Sequence, residues 1–124
     1  MKIFIIAIIT ILAGCSSGEK EKSSELNIAL GEDVFNRKAG IWIDDGIRAD
    51  AIVRPKDTQE LSEVLEWCNA FKQPVVPHGG LTGLAEGAIS KKGQIAISSE
   101  RLVEIEEIDT VGRTMTLQAG VPLE

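Results

Sequence analysis

The chain has 124 residues, 44% of them hydrophobic and 26% charged, an ordinary balance for a globular protein with room for one small domain. Its formal net charge of −6 gives no electrostatic support to a nucleic-acid-binding role. An anionic ligand must therefore be held by local dipoles, against the sign of the overall field.

Met1 and Lys2 precede Ile3 to Gly14, a stretch that is apolar or small except for Thr10. It is too short to span a bilayer, which takes about 20 residues. A basic start, a short apolar core and small residues read as a secretory signal over residues 1–14. Leu12-Ala13-Gly14-Cys15 resembles a bacterial lipobox. The resemblance implies acylation of Cys15 and a lipid-anchored protein of the bacterial cell envelope, facing the periplasm or exterior. Ser16, in place of a retaining aspartate, leans toward the outer membrane. Ser16 to Glu25 is polar throughout, and residues 15–25 read as a flexible tether. Cys15 and Cys68 are the only cysteines, so no disulfide framework follows.

Residues 26–48 form a lead-in with mixed apolar periods, broken by Gly31, Gly40 and Gly46. Asp44-Asp45-Gly46 reads as a turn. With no third ligand nearby it is not a metal site. Trp42 reads as a packing residue.

Ala51-Ile52-Val53-Arg54 is a β-branched run ended by Pro55, which predicts a strand. Asp57 and Glu60 stand in capping-box spacing. Leu61, Val64, Leu65, Cys68 and Phe71 then mark one face of a helix, with Cys68 a small buried hydrophobe. Glu60, Glu63 and Glu66 read as a solvated face. The helix must stop before Pro74, and Pro74-Val75-Val76-Pro77 reads as a second strand. Strand, helix and strand make a parallel βαβ crossover.

The run His78-Gly79-Gly80-Leu81-Thr82-Gly83-Leu84-Ala85-Glu86-Gly87-Ala88 thus leaves the C-terminal end of a strand, where α/β sheets bind ligands. Glycine lets a backbone approach a ligand closely, and successive exposed amides form a nest for phosphate oxygens. Thr82 can add a hydroxyl donor. The loop holds no lysine. The P-loop triplet Gly-Lys-Ser/Thr is missing, and glycines at 79, 80, 83 and 87 do not fit Gly-x-Gly-x-x-Gly. A pyrophosphate cradle competes with a plain glycine-rich connection. For His78, the only histidine, contact with a cofactor, catalysis as a base and simple capping of the loop compete.

Gln94-Ile95-Ala96-Ile97-Ser98 alternates, predicting a half-buried strand. Ser90-Lys91-Lys92-Gly93 reads as a polar connection before it. Leu102, Val103, Ile105 and Ile108, a turn over Asp109 to Arg113, and alternation over Thr114 to Ala119 predict an antiparallel hairpin. Gly120 follows.

His78-Gly79-Gly80-Leu81-Thr82-Gly83-Leu84 resembles the pyrophosphate loop of the FAD-linked oxidases of the vanillyl-alcohol oxidase superfamily, in the glycolate oxidase FAD-subunit and D-lactate or D-2-hydroxyglutarate dehydrogenase branch. Leu81 stands where many of these carry a third glycine. Ile52 to Leu61 resembles the start of the family's FAD domain, and Leu117-Gln118-Ala119-Gly120-Val121 a later strand and its glycine turn. The resemblance runs from Ala49 to Glu124. It implies an α+β fold, the N-terminal part of a PCMH-type FAD-binding domain at 49–124, truncated before its remainder and its substrate domain. It also implies FAD as cofactor, non-covalent because no histidine follows the glycines. Cofactor contacts would come from His78, Gly79, Gly80, Leu81, Thr82, Gly83, Leu84 and, secondarily, Gly120, which reads equally as a turn glycine. Full-length relatives would oxidise a 2-hydroxy acid by hydride transfer to FAD, while this chain alone is expected to be inactive. The alternative is a small lipoprotein that keeps the fold as a non-catalytic module.

Overall fold

The computed structural model describes residues 26–40 and 47–122. The signal, Cys15, the tether, Trp42 and Asp44-Asp45-Gly46 lie outside the described residues.

Two sheets carry the architecture, which is α+β. Four strands, β1 (Asn27–Ala29), β2 (Ala51–Arg54), β3 (Val75–His78) and β4 (Ile95–Ser98), form one sheet in the order β1-β2-β4-β3. β1 is antiparallel to β2; β2 and β3 are both parallel to β4. The crossover helix α2 (Thr58–Ala70) joins β2 to β3, but those strands do not touch, because β4 lies between them. α1 (Glu32–Phe35) is a single turn in the lead-in, and β5 (Ile105–Asp109) with β6 (Thr114–Leu117) makes the expected hairpin as a separate sheet.

The central place of β4 corrects its reading as half-buried. All four of its residues are buried. Ile95 and Ile97 face one side, with Val53, against Val64 and Cys68 of α2. Ala96 faces the other, with Ile52, against Ala29, Val34, Ala39, Ile47 and Ala49. Both faces are covered, so an apolar run serves a parallel strand better than alternation. The second cluster shows what the lead-in does: its residues roof the sheet face opposite α2.

α2 begins as its sequence predicts. The Asp57 carboxylate accepts from the Glu60 amide at 2.8 Å, while Glu60 reaches back to the Lys56 amide at 2.6 Å, one residue beyond the usual box partner. The buried stripe is narrower than the periodicity suggests. Val64 and Cys68 are buried and Leu61 and Trp67 partly so, but Leu65 and Phe71 are exposed. A helix covering one short strand pair needs only that width. Phe71 instead packs on Trp67, with ring centroids 4.9 Å apart.

β3 also corrects its predicted bounds by one residue, since the strand starts at Val75 and includes His78. The carbonyls of Pro74 and His78 accept from Ile95 and Ser99 of the neighbouring segment, so Pro77 turns its missing N–H to the open edge. Proline is tolerated there, and it blunts the edge.

Candidate functional site

The last residues of β2, β3 and β4 and the first residue of the antiparallel β1 lie at one end of the sheet, on the face that the lead-in covers. In register, Asn27 opposes Arg54 and His78 opposes Ser98. Arg54 and Ser98 directly follow the paired residues Val53 and Ile97. A polar row, Asn27, Arg54, Ser98 and His78, therefore crosses all four strands. Beneath it runs the apolar row Ala29, Ile52, Ala96 and Val76.

Glu100 ties the row together from just beyond β4. Its carboxylate pairs with Arg37 at 2.6 Å and with Arg54. Arg37 also donates to the Ser98 hydroxyl at 3.3 Å, and Arg54 donates to the Asn27 side chain at 3.2 Å. Burial pushes the Glu100 carboxyl upward, but the Arg37 hydrogen bond, the charges of Arg37 and Arg54 and the Ser98 hydroxyl outweigh it and hold the group below its usual range. Spacing could not have revealed this cluster. Arg37 and Glu100 stand 63 residues apart, and both lie outside periodic elements. The one available signal was that Arg54 and Ser98 each end a strand.

His78 is 1% exposed. Its ring Nε2 lies 2.9 Å from the Ala88 carbonyl. A carbonyl only accepts, so Nε2 carries the proton and Nδ1 is a bare lone pair, buried without a partner. Burial lowers its pKa first; the Ala88 bond and Glu100 oppose that, and Arg37 adds to it. The histidine therefore stays neutral and clasps the two ends of the loop between residues 79 and 88. Of the roles open to it, this geometry is that of the cap.

The loop itself is open. Among the described residues, no backbone N–H from Gly79 to Leu84 donates to a protein acceptor. A Cβ built on Gly79, Gly80, Gly83 or Gly87 meets nothing within 4 Å. None of the four has positive φ, so turn geometry does not require glycine there. What glycine provides is clear space over unspent amides. The left-handed positions belong to Leu81, at φ 56°, and Glu86, at φ 59°. Leu81 packs its side chain on the lead-in cluster. Thr82 is exposed, and Leu84, 69% exposed, stands at the rim. Ser90, past the loop, is buried with an unpartnered hydroxyl.

Gly120 has a different basis. A Cβ there would collide with the Ser99 carbonyl oxygen and stand 2.8 Å from that of Leu102. Its amide donates to Leu102 at 2.8 Å. The glycine permits a close backbone crossing beside Ser99, whose amide bonds the His78 carbonyl at 3.0 Å. It is joined to the loop through Ser99. Among the described residues no group of three or more His, Cys, Asp or Glu could hold a metal.

Residues 49–124 match a family model described as FAD binding domain. The chain is 45% identical over 74 residues to a D-2-hydroxyglutarate dehydrogenase of Xanthomonas citri pv. viticola, covering 60% of this chain and 16% of that one. A mitochondrial D-2-hydroxyglutarate dehydrogenase of Danio rerio is 34% identical over 76 residues, covering 61% and 14%. The glycolate oxidase subunit GlcD of Bacillus subtilis is 35% identical over 72 residues, covering 58% and 15%. The chain thus spans about one sixth or less of the length of these relatives.

Proposed function

The chain belongs to the FAD binding domain family over residues 49–124, and on that premise we propose that it binds FAD non-covalently through the loop from Gly79 to Leu84. The observation that carries this reading is the pairing of unspent amides with empty space at each glycine. A pyrophosphate needs both: donors for its oxygens, and room for the backbone to approach. Gly79, Gly80 and Gly83 supply the room, Thr82 adds a hydroxyl at the same place, and Leu81 anchors the loop on the core. His78 acts on the cofactor through the loop rather than by touch, as its burial and its bond to Ala88 support. Gly120 likewise serves by holding its backbone against Ser99. The finer fold assignment, the N-terminal part of a PCMH-type domain, is supported by the span of the family match and by the mixed sheet with its hairpin.

When bound, FAD supplies a two-electron acceptor. The relatives named for 2-hydroxy acids support a substrate of that class for a longer protein that includes this domain. The loop from Gly79 to Leu84 supplies the pyrophosphate part of such a cofactor site. For location, the Leu12 to Cys15 pattern supports lipid anchoring in a bacterial envelope; acyl labelling that persists in Cys15→Ser would overturn it.

Gly80→Val is the direct test of the cradle. The substitution meets open space, so far-UV circular dichroism should not change, while quenching of FAD fluorescence on titration with the protein should be lost. A variant that binds FAD as well as the parent would remove the loop from the cofactor site.

A further inference from the structure

We propose that Arg37, which precedes the family-matched region, is a positioning residue of the cofactor loop, so that the site extends into the lead-in segment; this rests on the reading of the loop from Gly79 to Leu84 as the FAD site. Arg37 is tied at both ends. Its backbone carbonyl accepts from the Ile47 amide at 2.8 Å. Ile47 is 1% exposed and belongs to the cluster on which Leu81 packs. Its guanidinium bonds Glu100 at 2.6 Å and the Ser98 hydroxyl at 3.3 Å. Ser98 is the cross-strand neighbour of His78, the residue that opens the loop and closes it on Ala88.

Two routes therefore lead from Arg37 to the loop. One runs through Ser98 to His78 at its base; the other runs through Ile47 and the lead-in cluster to Leu81 inside it. Both routes run through short contacts, from a partly exposed guanidinium to the buried Ser98 and Ile47, so displacement of Arg37 reaches the amides through packed neighbours. Arg54 cannot replace it. Arg54 shares Glu100, but it extends from β2 and its further hydrogen bond runs to Asn27, away from β3.

The test uses the 124-residue chain with FAD as probe. In Arg37→Ala, without FAD, the backbone amide NMR signals of Gly79, Gly80 and Gly83 should move while those of α2 stay in place. The His78 ring should titrate at higher pH, because the Arg37 charge, which adds to burial in lowering it, is gone while Glu100 remains. FAD affinity should fall about ten-fold, the scale of one charged hydrogen bond. Arg37→Lys, which keeps the charge but not the forked geometry, should restore the His78 titration and only part of the affinity. Should Arg37→Ala fail to fold, Arg37→Lys carries the amide and affinity readouts alone. Unmoved glycine amides with affinity within about two-fold of the parent would overturn the proposal. A parent that binds no FAD would instead defeat the cofactor reading, and the glycine amides would still decide whether Arg37 positions the loop.

Discussion

Lys72 takes φ 53°, the left-handed region, just past α2. Its amide bonds the Asn69 carbonyl at 3.2 Å, and the Gln73 amide bonds Cys68 at 2.7 Å, which closes a Schellman turn with lysine where glycine is favoured. Lys72→Gly should stabilise the chain by about 0.5–1 kcal/mol, the left-handed strain relieved less the entropy that glycine loses, read as a rise in the urea midpoint. Gly120→Ala should do the opposite. The atoms in its way are backbone carbonyls, which cannot swing aside, so a loss of about 1–3 kcal/mol is expected by the same measurement. His78 and Glu100 set the response to acid. Burial holds the folded His78 pKa below its ordinary 6.5, so the unfolded chain binds that proton first. Stability is present above 6.5 and declines as pH falls toward the depressed folded value. Arg37 works in the same direction, and Glu100 against it. Glu100, held below its ordinary 4.5, contributes above that value and loses its contribution as pH drops through its folded pKa. In His78→Gln, the decline of the urea midpoint that begins as pH falls through 6.5 should disappear while the lower acid limb set by the carboxyls remains. At this scale the sequence shows the glycines, because glycine spacing after a strand is local. It hides the Arg37–Glu100 pair and the clasp to Ala88, which arise only when distant segments meet. It also suggests direct cofactor contact for Gly120, where backbone crowding at Ser99 supplies the observed reason for the glycine.

The hairpin shows an element whose pattern is repaired by an irregularity. Ile105 and Ile108 are three residues apart and should point to opposite faces of a regular strand. The register slips between Ile105 and Glu107, and this β-bulge returns both to one face, opposite Leu117 and Met115. Glu107 and Asp109 face Thr116 and Thr114 on the other. The Asp109 carboxylate closes the turn by accepting from the Val111 and Gly112 amides, each at 2.9 Å. The apolar face stays open: Ile105, Ile108 and Met115 are at least half exposed. Such a face favours association. Ile108→Lys should therefore lower the concentration dependence of the sedimentation coefficient while leaving the urea midpoint nearly unchanged. Strands, helix and hairpin are legible because each keeps its own period and its own punctuation. The limits of the α2 stripe and the end of β3 are not, because helix width depends on how many strands lie beneath it, and strand length on where a neighbour's carbonyls stand.

At the scale of the molecule, the apolar lead-in residues are hard to read because β1 and the Val34, Ala39 and Ile47 contacts are meaningful only against a sheet that comes later in the chain. The same holds for the strand order. Sequence neighbours β2 and β3 suggest direct pairing, but β4, buried at all four residues, stands between them. This placement has a consequence for synthesis. As the chain leaves the ribosome, β2, α2 and β3 all emerge before β4, and until it appears only β1 and β2 can pair. Residues 95–98 act as the keystone that arrives last. A version ending at residue 90 should show no cooperative thermal transition by circular dichroism. During translation the same interval leaves β3 unpaired and β2 open along one edge, in reach of whichever chaperone waits at the exit tunnel.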